Sequence, residues 1–147
     1  MFEVIRLIDD KEMLDYISET ADMGRDSLHQ VIEKTDDDQF ISMLKAQMAE
    51  YENIFHEAED LVEEGQAKEA PSFAKFNSQI TSTVKTMTSK DPTSKIAEMV
   101  IQGTTMGITQ IIKHQHNYTG TNQQIKALSE KLIHTQQANI ENMKQFL

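Results

Sequence analysis

DDDQFISMLKAQMAEYENIFHEAEDLVEEGQA, residues 36–67, carries the clearest helical pattern in the chain. Its apolar side chains return at alternating steps of three and four residues, which is the spacing of one face of an α-helix. Three aspartates precede the pattern and suit a helix start, because carboxylates there accept free N–H groups and face the positive end of the helix dipole. We predict a helix over residues 39–67, about 43 Å long at 1.5 Å per residue. Its predicted buried stripe comprises Ile41, Leu44, Met48, Tyr51, Phe55, Ala58 and Val62.

The same periodicity predicts helices on both sides of this one. Asp9 and Asp10 can cap a helix near the N-terminus, and Asp91 followed by Pro92 is typical of a cap and a first helical turn. Thr121 can cap the last helix. A poorer helix is predicted in the middle, where Ser, Thr, Asn and Gln are frequent but the apolar residues keep helical spacing. The predicted helices span residues 10–34, 39–67, 72–88, 92–118 and 121–146.

Together these elements predict an all-α fold with a single domain over residues 1–147. Short turns near residues 36 and 120 would make two antiparallel hairpins, and the long middle connection would cross from one hairpin to the other. We therefore expect a four-helix bundle of two antiparallel hairpins joined by a long, partly helical crossover.

Glycine occurs at matching places in the first helix of each predicted hairpin, as Met23-Gly24 and Met106-Gly107. Glycine inside a helix costs about 1 kcal/mol relative to alanine. Its presence therefore indicates a close crossing with a neighbouring helix, where a side chain would not fit.

Two segments, SKIAEMVIQGTTMGI at residues 94–108 and NIENMKQFL at residues 139–147, resemble a group of uncharacterised bacterial ferritin-like bundle proteins. With the hairpin layout, the resemblance covers nearly the whole chain. It implies a ferritin-like fold and carries no assigned activity. The di-iron members of that superfamily hold metal with one Glu on each of two helices and a Glu-x-x-His motif on the other two.

This chain lacks Glu-x-x-His, but two Glu/His pairs stand four residues apart, at Glu52/His56 and Glu130/His134. With Glu98 they are the candidate ligands for iron or manganese. Glu52 and His56 each follow an apolar stripe residue by one, and Glu130 lies well away from its stripe, so we expect the pairs at the surface or flank as ordinary helix pairs. The polar residues nearest the core face are predicted to form a buried hydrogen-bonding layer; they are Gln47, Thr104, Gln110, Gln136 and Asn139.

Composition excludes several classes of protein. The 147 residues include no Cys, which excludes disulfide scaffolds, thiol catalysis and Cys-ligated metals. A net charge of −10 argues against a general nucleic-acid binder, and no apolar run is long enough to span a membrane. Without a signal sequence, we expect a cytoplasmic protein. Residues 1–70 hold 20 of the 24 acids, so the two halves of the chain should attract each other.

No catalytic triad, phosphate loop or reactive thiol is recognisable, so we expect a structural or interaction module without catalysis and without a cofactor. The apolar girth of the 92–118 helix and the apolar start of the chain, residues 2–8, favour a homodimer, although residues 2–8 would equally suit a strap on the bundle. The alternative function is a ferritin-like iron or manganese storage protein or oxidase. A third possible function is the binding of an apolar ligand in a pocket between helices that is lined by Met and Gly.

Overall fold

The structure, a computed structural model, describes residues 6–62 and 90–147. Within these ranges the chain forms four α-helices and no β-strand, which confirms the all-α prediction; the helices are α1 (Asp10–Val31), α2 (Asp38–Leu61), α3 (Pro92–Asn117) and α4 (Gln123–Met143). One-turn 3₁₀ helices follow α1 and α4. The predicted helix over 72–88 and the last five residues of the 39–67 helix lie outside the described residues.

Three of the predicted helix caps are confirmed. The carboxylate of Asp9 accepts the N–H of the third residue after it, and Asp37 and Asp91 do the same at the starts of α2 and α3. The fourth cap differs from the prediction. Asn122, rather than Thr121, caps α4, and its side-chain oxygen accepts two backbone N–H groups. Either residue type can cap, so sequence alone did not distinguish them.

Polar contacts tie α1 to α3 at both ends. The backbone of Ile8 bonds to Asn117 and Thr119, and the hydroxyl of Tyr118 donates to Asp10 at 2.5 Å. At the opposite end the hydroxyls of Thr35 and Thr93 are 2.6 Å apart. Thus α1 begins beside the end of α3 and ends beside its beginning.

Two pairs of helices pack most closely, α1 on α2 and α3 on α4, while α1 and α3 contact each other less. On α2 the buried stripe differs from the predicted one. Leu44, Tyr51 and Ala58 are buried as expected, but Phe40, Gln47 and Ile54 complete the stripe. The predicted neighbours Ile41, Met48 and Phe55 are only half-buried. The two stripes share three positions and differ by one residue at the others, so the buried face of the helix is turned by about 50° from the predicted one.

Close helix crossings occur at both predicted glycines. A Cβ on Gly24 would lie 2.8 Å from the ring of Tyr51 on α2. A Cβ on Gly107 would lie 2.6 Å from the amide nitrogen of Gln136 on α4. In each of the two closely packed helix pairs, therefore, the glycine of the first helix lets a long polar-tipped side chain of the second helix lie against its backbone.

None of the described helices combines the length and the apolar character that a membrane crossing requires. Residues 2–8 were predicted to form either a strap on the bundle or a dimer contact, and Leu7 and Ile8 differ in how far they are exposed. Ile8 is buried, as expected of a strap, whereas Leu7 is 63% exposed. The other residues of the predicted strap, 2–5, lie outside the described ranges.

Candidate ligand-binding cavity

A cavity of about 340 Å³ lies between α1 and α3. These two helices contact each other less closely than α1 contacts α2 or α3 contacts α4. Pockets that hold small organic molecules begin at roughly this size. The α1 wall follows one helical face, with residues spaced by three and four; it comprises Thr20, Met23, Gly24, Ser27, Leu28 and Val31.

The α3 wall is built from small and flexible apolar residues. Met99, Val100 and Met106 provide its apolar surface, and Gly103 and Gly107 leave space between them. Methionine is unbranched and adapts its shape to what it contacts. The wall can therefore fit ligands of more than one outline.

The inner side of the cavity is polar, and it comes from the residues predicted to form a buried layer. Gln47 and Gln136 line the cavity and are each 2% exposed, and Thr104 lines it at 8%. Asn139 is buried behind them at 1%. The prediction of a buried layer is confirmed for these four residues, whereas Gln110 is only half-buried.

Hydrogen bonding within the layer is incomplete. Neither polar atom of the Gln47 amide, Nε2 or Oε1, has a hydrogen-bond partner among the described residues. The same holds for Oε1 of Gln136, Oγ of Ser27 and Nδ2 of Asn139. A buried polar atom left without a partner costs about 1–3 kcal/mol. The two Gln and the Ser belong to the cavity wall, so a molecule inside the cavity can supply the missing partners.

Tyr51 completes the layer beside Gln47, one helical turn further along α2. Burial raises the pKa of Tyr51 above its usual value, and the neighbouring polar side chains of Asn139, Thr104 and Gln136 offset only part of that effect. The phenol therefore stays neutral at physiological pH. Like the amides around it, it offers an uncharged polar group.

Charge is confined to one place on the cavity wall. Among the lining residues that the structure describes, Lys95 alone is charged at neutral pH, and its side chain is 44% exposed. Its ammonium lies 3.6 Å from a carboxylate oxygen of Glu98. The cavity thus combines an apolar wall, a neutral polar interior and a partly exposed cation. This set of groups suits binding and contains no nucleophile paired with a base.

The predicted metal ligands lie elsewhere, on exposed helix faces. His56 is 3.7 Å from Glu52, and His134 is 3.9 Å from Glu130. All four side chains are more than half exposed, as the analysis of the apolar stripes predicted. Glu98, the fifth candidate, is half exposed and pairs with Lys95.

As placed, these residues do not fit a metal site. Nowhere in residues 6–62 and 90–147 do three or more His, Asp or Glu side chains group closely enough to hold a metal ion. A two-residue exposed pair offers too few ligands for iron or manganese. The iron or manganese alternative therefore stays a prediction without a located site.

The position of the cavity was not predictable from the sequence. A pocket lined by Met and Gly was one predicted alternative, and a layer of buried amides was a separate prediction. The structure brings Met23, Met99 and Met106 together with Gln47 and Gln136. The only sequence signal for their meeting is the helical spacing of each set on its own helix. How far α1 stands from α3 depends on the packing of all four helices, so the spacing alone could not give it.

The chain matches no family model, no curated protein and no solved structure. Its resemblance to ferritin-like bundle proteins therefore stays a prediction.

Proposed function

We propose that this protein is a non-catalytic binding protein that holds a small amphipathic molecule in the cavity between α1 and α3. The observation that carries the proposal is Gln47. Its amide is 2% exposed, lines the cavity and has no hydrogen-bond partner for either polar atom among the described residues. An interior that needed only stability would favour an apolar side chain at this position.

The shape and lining of the cavity support the same function. Its volume of about 340 Å³ is large enough for a small organic ligand, and its outer walls are apolar. Three methionines give a surface that repacks around a guest at low cost. The uncharged inner lining supports binding rather than catalysis, in keeping with the interaction module predicted from the sequence.

Other parts of the predicted picture belong to this proposal. We propose a ferritin-like arrangement of two antiparallel hairpins, supported by the contacts of α1 with α3 at both ends. The cytoplasmic location and the homodimer remain predictions from sequence. Light scattering of the purified protein checks the dimer, and a single species of about 17 kDa would exclude it.

Binding of a neutral apolar dye tests the function directly. We expect N-phenyl-1-naphthylamine to bind saturably with a stoichiometry of one, and its fluorescence to rise as it leaves water. Gly103→Leu should abolish binding, because Gly103 borders the cavity and the leucine side chain would fill part of it. Thr109→Leu is the matched control, since Thr109 is exposed on the same helix.

Helix content by circular dichroism shows whether each variant folds. Absence of saturable binding to the parent protein, or equal binding by folded Gly103→Leu, would overturn the proposed function.

A further inference from the structure

We infer that the ligand of this cavity is an uncharged, straight-chain amphiphile whose head group both donates and accepts hydrogen bonds, of the carboxamide class. The inference rests on the proposed function and adds the chemistry of the ligand. The inference follows from three features of the described wall: the unpaired amide of Gln47, the position of Lys95, and the apolar side chains between Gln47 and Lys95.

The head group is set by what the buried layer lacks. Among the described residues, Nε2 of Gln47 is a donor without a partner, and Oε1 of Gln47 and Oε1 of Gln136 are acceptors without a partner. A carboxamide supplies one acceptor oxygen and two N–H donors, so it can pair with all three atoms. An ester or a ketone can only accept, and would leave both glutamine oxygens without a donor.

Charged head groups do not suit the inner end of the cavity. No described residue that lines the inner end carries a charge, and burying an ionised group without a counter-charge is strongly unfavourable. Lys95 could face a carboxylate, but its side chain is 44% exposed and already lies 3.6 Å from Glu98. Lys95 also stands nine residues before Thr104 on α3, or about 14 Å along the helix. A carboxylate at Lys95 would leave the free amides unmatched.

The tail of the ligand is set by the walls between the amide layer and Lys95. Leu28 and Val31 on α1 face Met99 and Val100 on α3 across the cavity. These side chains offer dispersion contacts and no hydrogen-bond groups. An alkyl chain is the simplest structure that covers about 14 Å of such wall.

Three probes with the same acyl chain test the inference: octanamide, octanoate and methyl octanoate. Displacement of N-phenyl-1-naphthylamine from the 147-residue chain is measured for each probe at pH 8, where octanoate is ionised. We expect octanamide to bind at least about tenfold more tightly than either other probe, the ratio that about 1.4 kcal/mol provides. Gln47→Met should remove this preference, because methionine keeps the volume and removes the polar atoms that pair with the carboxamide.

The outcomes separate the inference from the proposed function. If all three probes bind equally, or octanoate binds best, the carboxamide class is wrong while the binding function stands. If Gln47→Met keeps the preference for octanamide, the assignment of the head group to Gln47 is wrong. If neither the dye nor any probe binds, the proposed function itself fails. Gln137→Met, at an exposed position beside Gln136, is the control and should bind like the parent protein.

Discussion

The ring of Tyr51 lies directly against the backbone of Gly24, so that a Cβ at residue 24 would come within 2.8 Å of two ring carbons. Tyr51 is 4% exposed and Gly24 lines the cavity. The contact therefore joins α1 to α2 at the inner side of the binding site. It also places the phenol of Tyr51 beside the buried amides.

We expect Gly24→Ala to destabilise the protein by about 1–3 kcal/mol, because the new methyl group overpacks a rigid, buried ring. The gain of about 1 kcal/mol in helix propensity would offset only part of this cost. Gly103→Ala is the matched control. It borders the cavity, so it should keep the propensity gain and stabilise the protein. Urea unfolding of both variants measures the difference, and a stabilised Gly24→Ala would contradict the close contact.

Replacing Gln47 by methionine should raise the free energy of unfolding by about 1–3 kcal/mol, since the substitution removes two buried polar atoms that have no partner among the described residues. Chemical denaturation in the absence of any ligand measures this. Gln137→Met, at an exposed site, should change stability by less than about 0.5 kcal/mol. A destabilised Gln47→Met would mean that the amide has partners in solution. A site that weakens the free protein is the usual cost of a binding function.

All three tyrosines of the chain should titrate abnormally in the folded protein. Burial raises the pKa of Tyr16 to about 12, and it also raises the pKa of Tyr51. Desolvation, helped by the hydrogen bond to Asp10, raises the pKa of Tyr118 to about 12. The near-ultraviolet absorbance of tyrosinate should therefore stay low in native protein at pH 10 and rise near pH 10 in urea-unfolded protein.

The same pKa shifts predict how stability depends on pH. A raised pKa in the folded state means that folding favours the protonated phenol. The stabilising contribution is complete below about pH 10 and is lost as the pH rises from there towards 12. Tyr16→Phe should lose less stability over this interval than the parent protein does. Equal losses in the two proteins would show that Tyr16 does not contribute.

The cap of α4 can be assigned by substitution. Asn122→Ala should cost about 1 kcal/mol, because its side-chain oxygen accepts two N–H groups at the helix start. Thr121→Ala should cost less than about 0.5 kcal/mol, since Thr121 is exposed and stands before the cap. Thermal unfolding of the two variants compares them. The reverse order would restore the cap predicted from sequence.

Metal loading tests the alternative function. After anaerobic incubation with Fe(II) or Mn(II), elemental analysis should find well under one equivalent per chain, because Glu52/His56 and Glu130/His134 are exposed two-residue pairs. Glu52→Gln should not change that content. About two equivalents per chain, as in a di-iron centre, would instead establish the ferritin-like metal function.

Most of the helical architecture was predictable from local rules. An aspartate just before an apolar period marks a helix start, and this rule placed the beginnings of α1, α2 and α3. The buried stripe of α2 was harder to predict, because two overlapping stripes of residues both show three–four spacing. One of them contains Gln47, whose polarity made it the less plausible core face. Gln47, the residue on which the proposed function depends, is therefore the reason why the buried face of α2 was predicted wrongly.

Only the types of residue that line the cavity were predictable from the sequence, and its position was not. Glycines at residues 24 and 107 signalled close crossings, and both are found. These crossings join α1 to α2 and α3 to α4, whereas the cavity lies between α1 and α3. The separation of α1 from α3 results from contacts dispersed over the whole sequence, so no short motif could report it.

The backbone pairing of Ile8 with Thr119 joins positions 111 residues apart and bears on how the protein opens. Separating α1 from the turn that follows α3 must break this pairing, so α1 cannot detach from α3 at that end while the pairing holds. Slow amide hydrogen exchange in α1 and in α3 should then follow one common opening reaction, with similar exchange free energies in both helices. Removing residues 1–8 should divide that reaction into two. Motion in the intact molecule would be concentrated midway along α1 and α3, between the two tied ends.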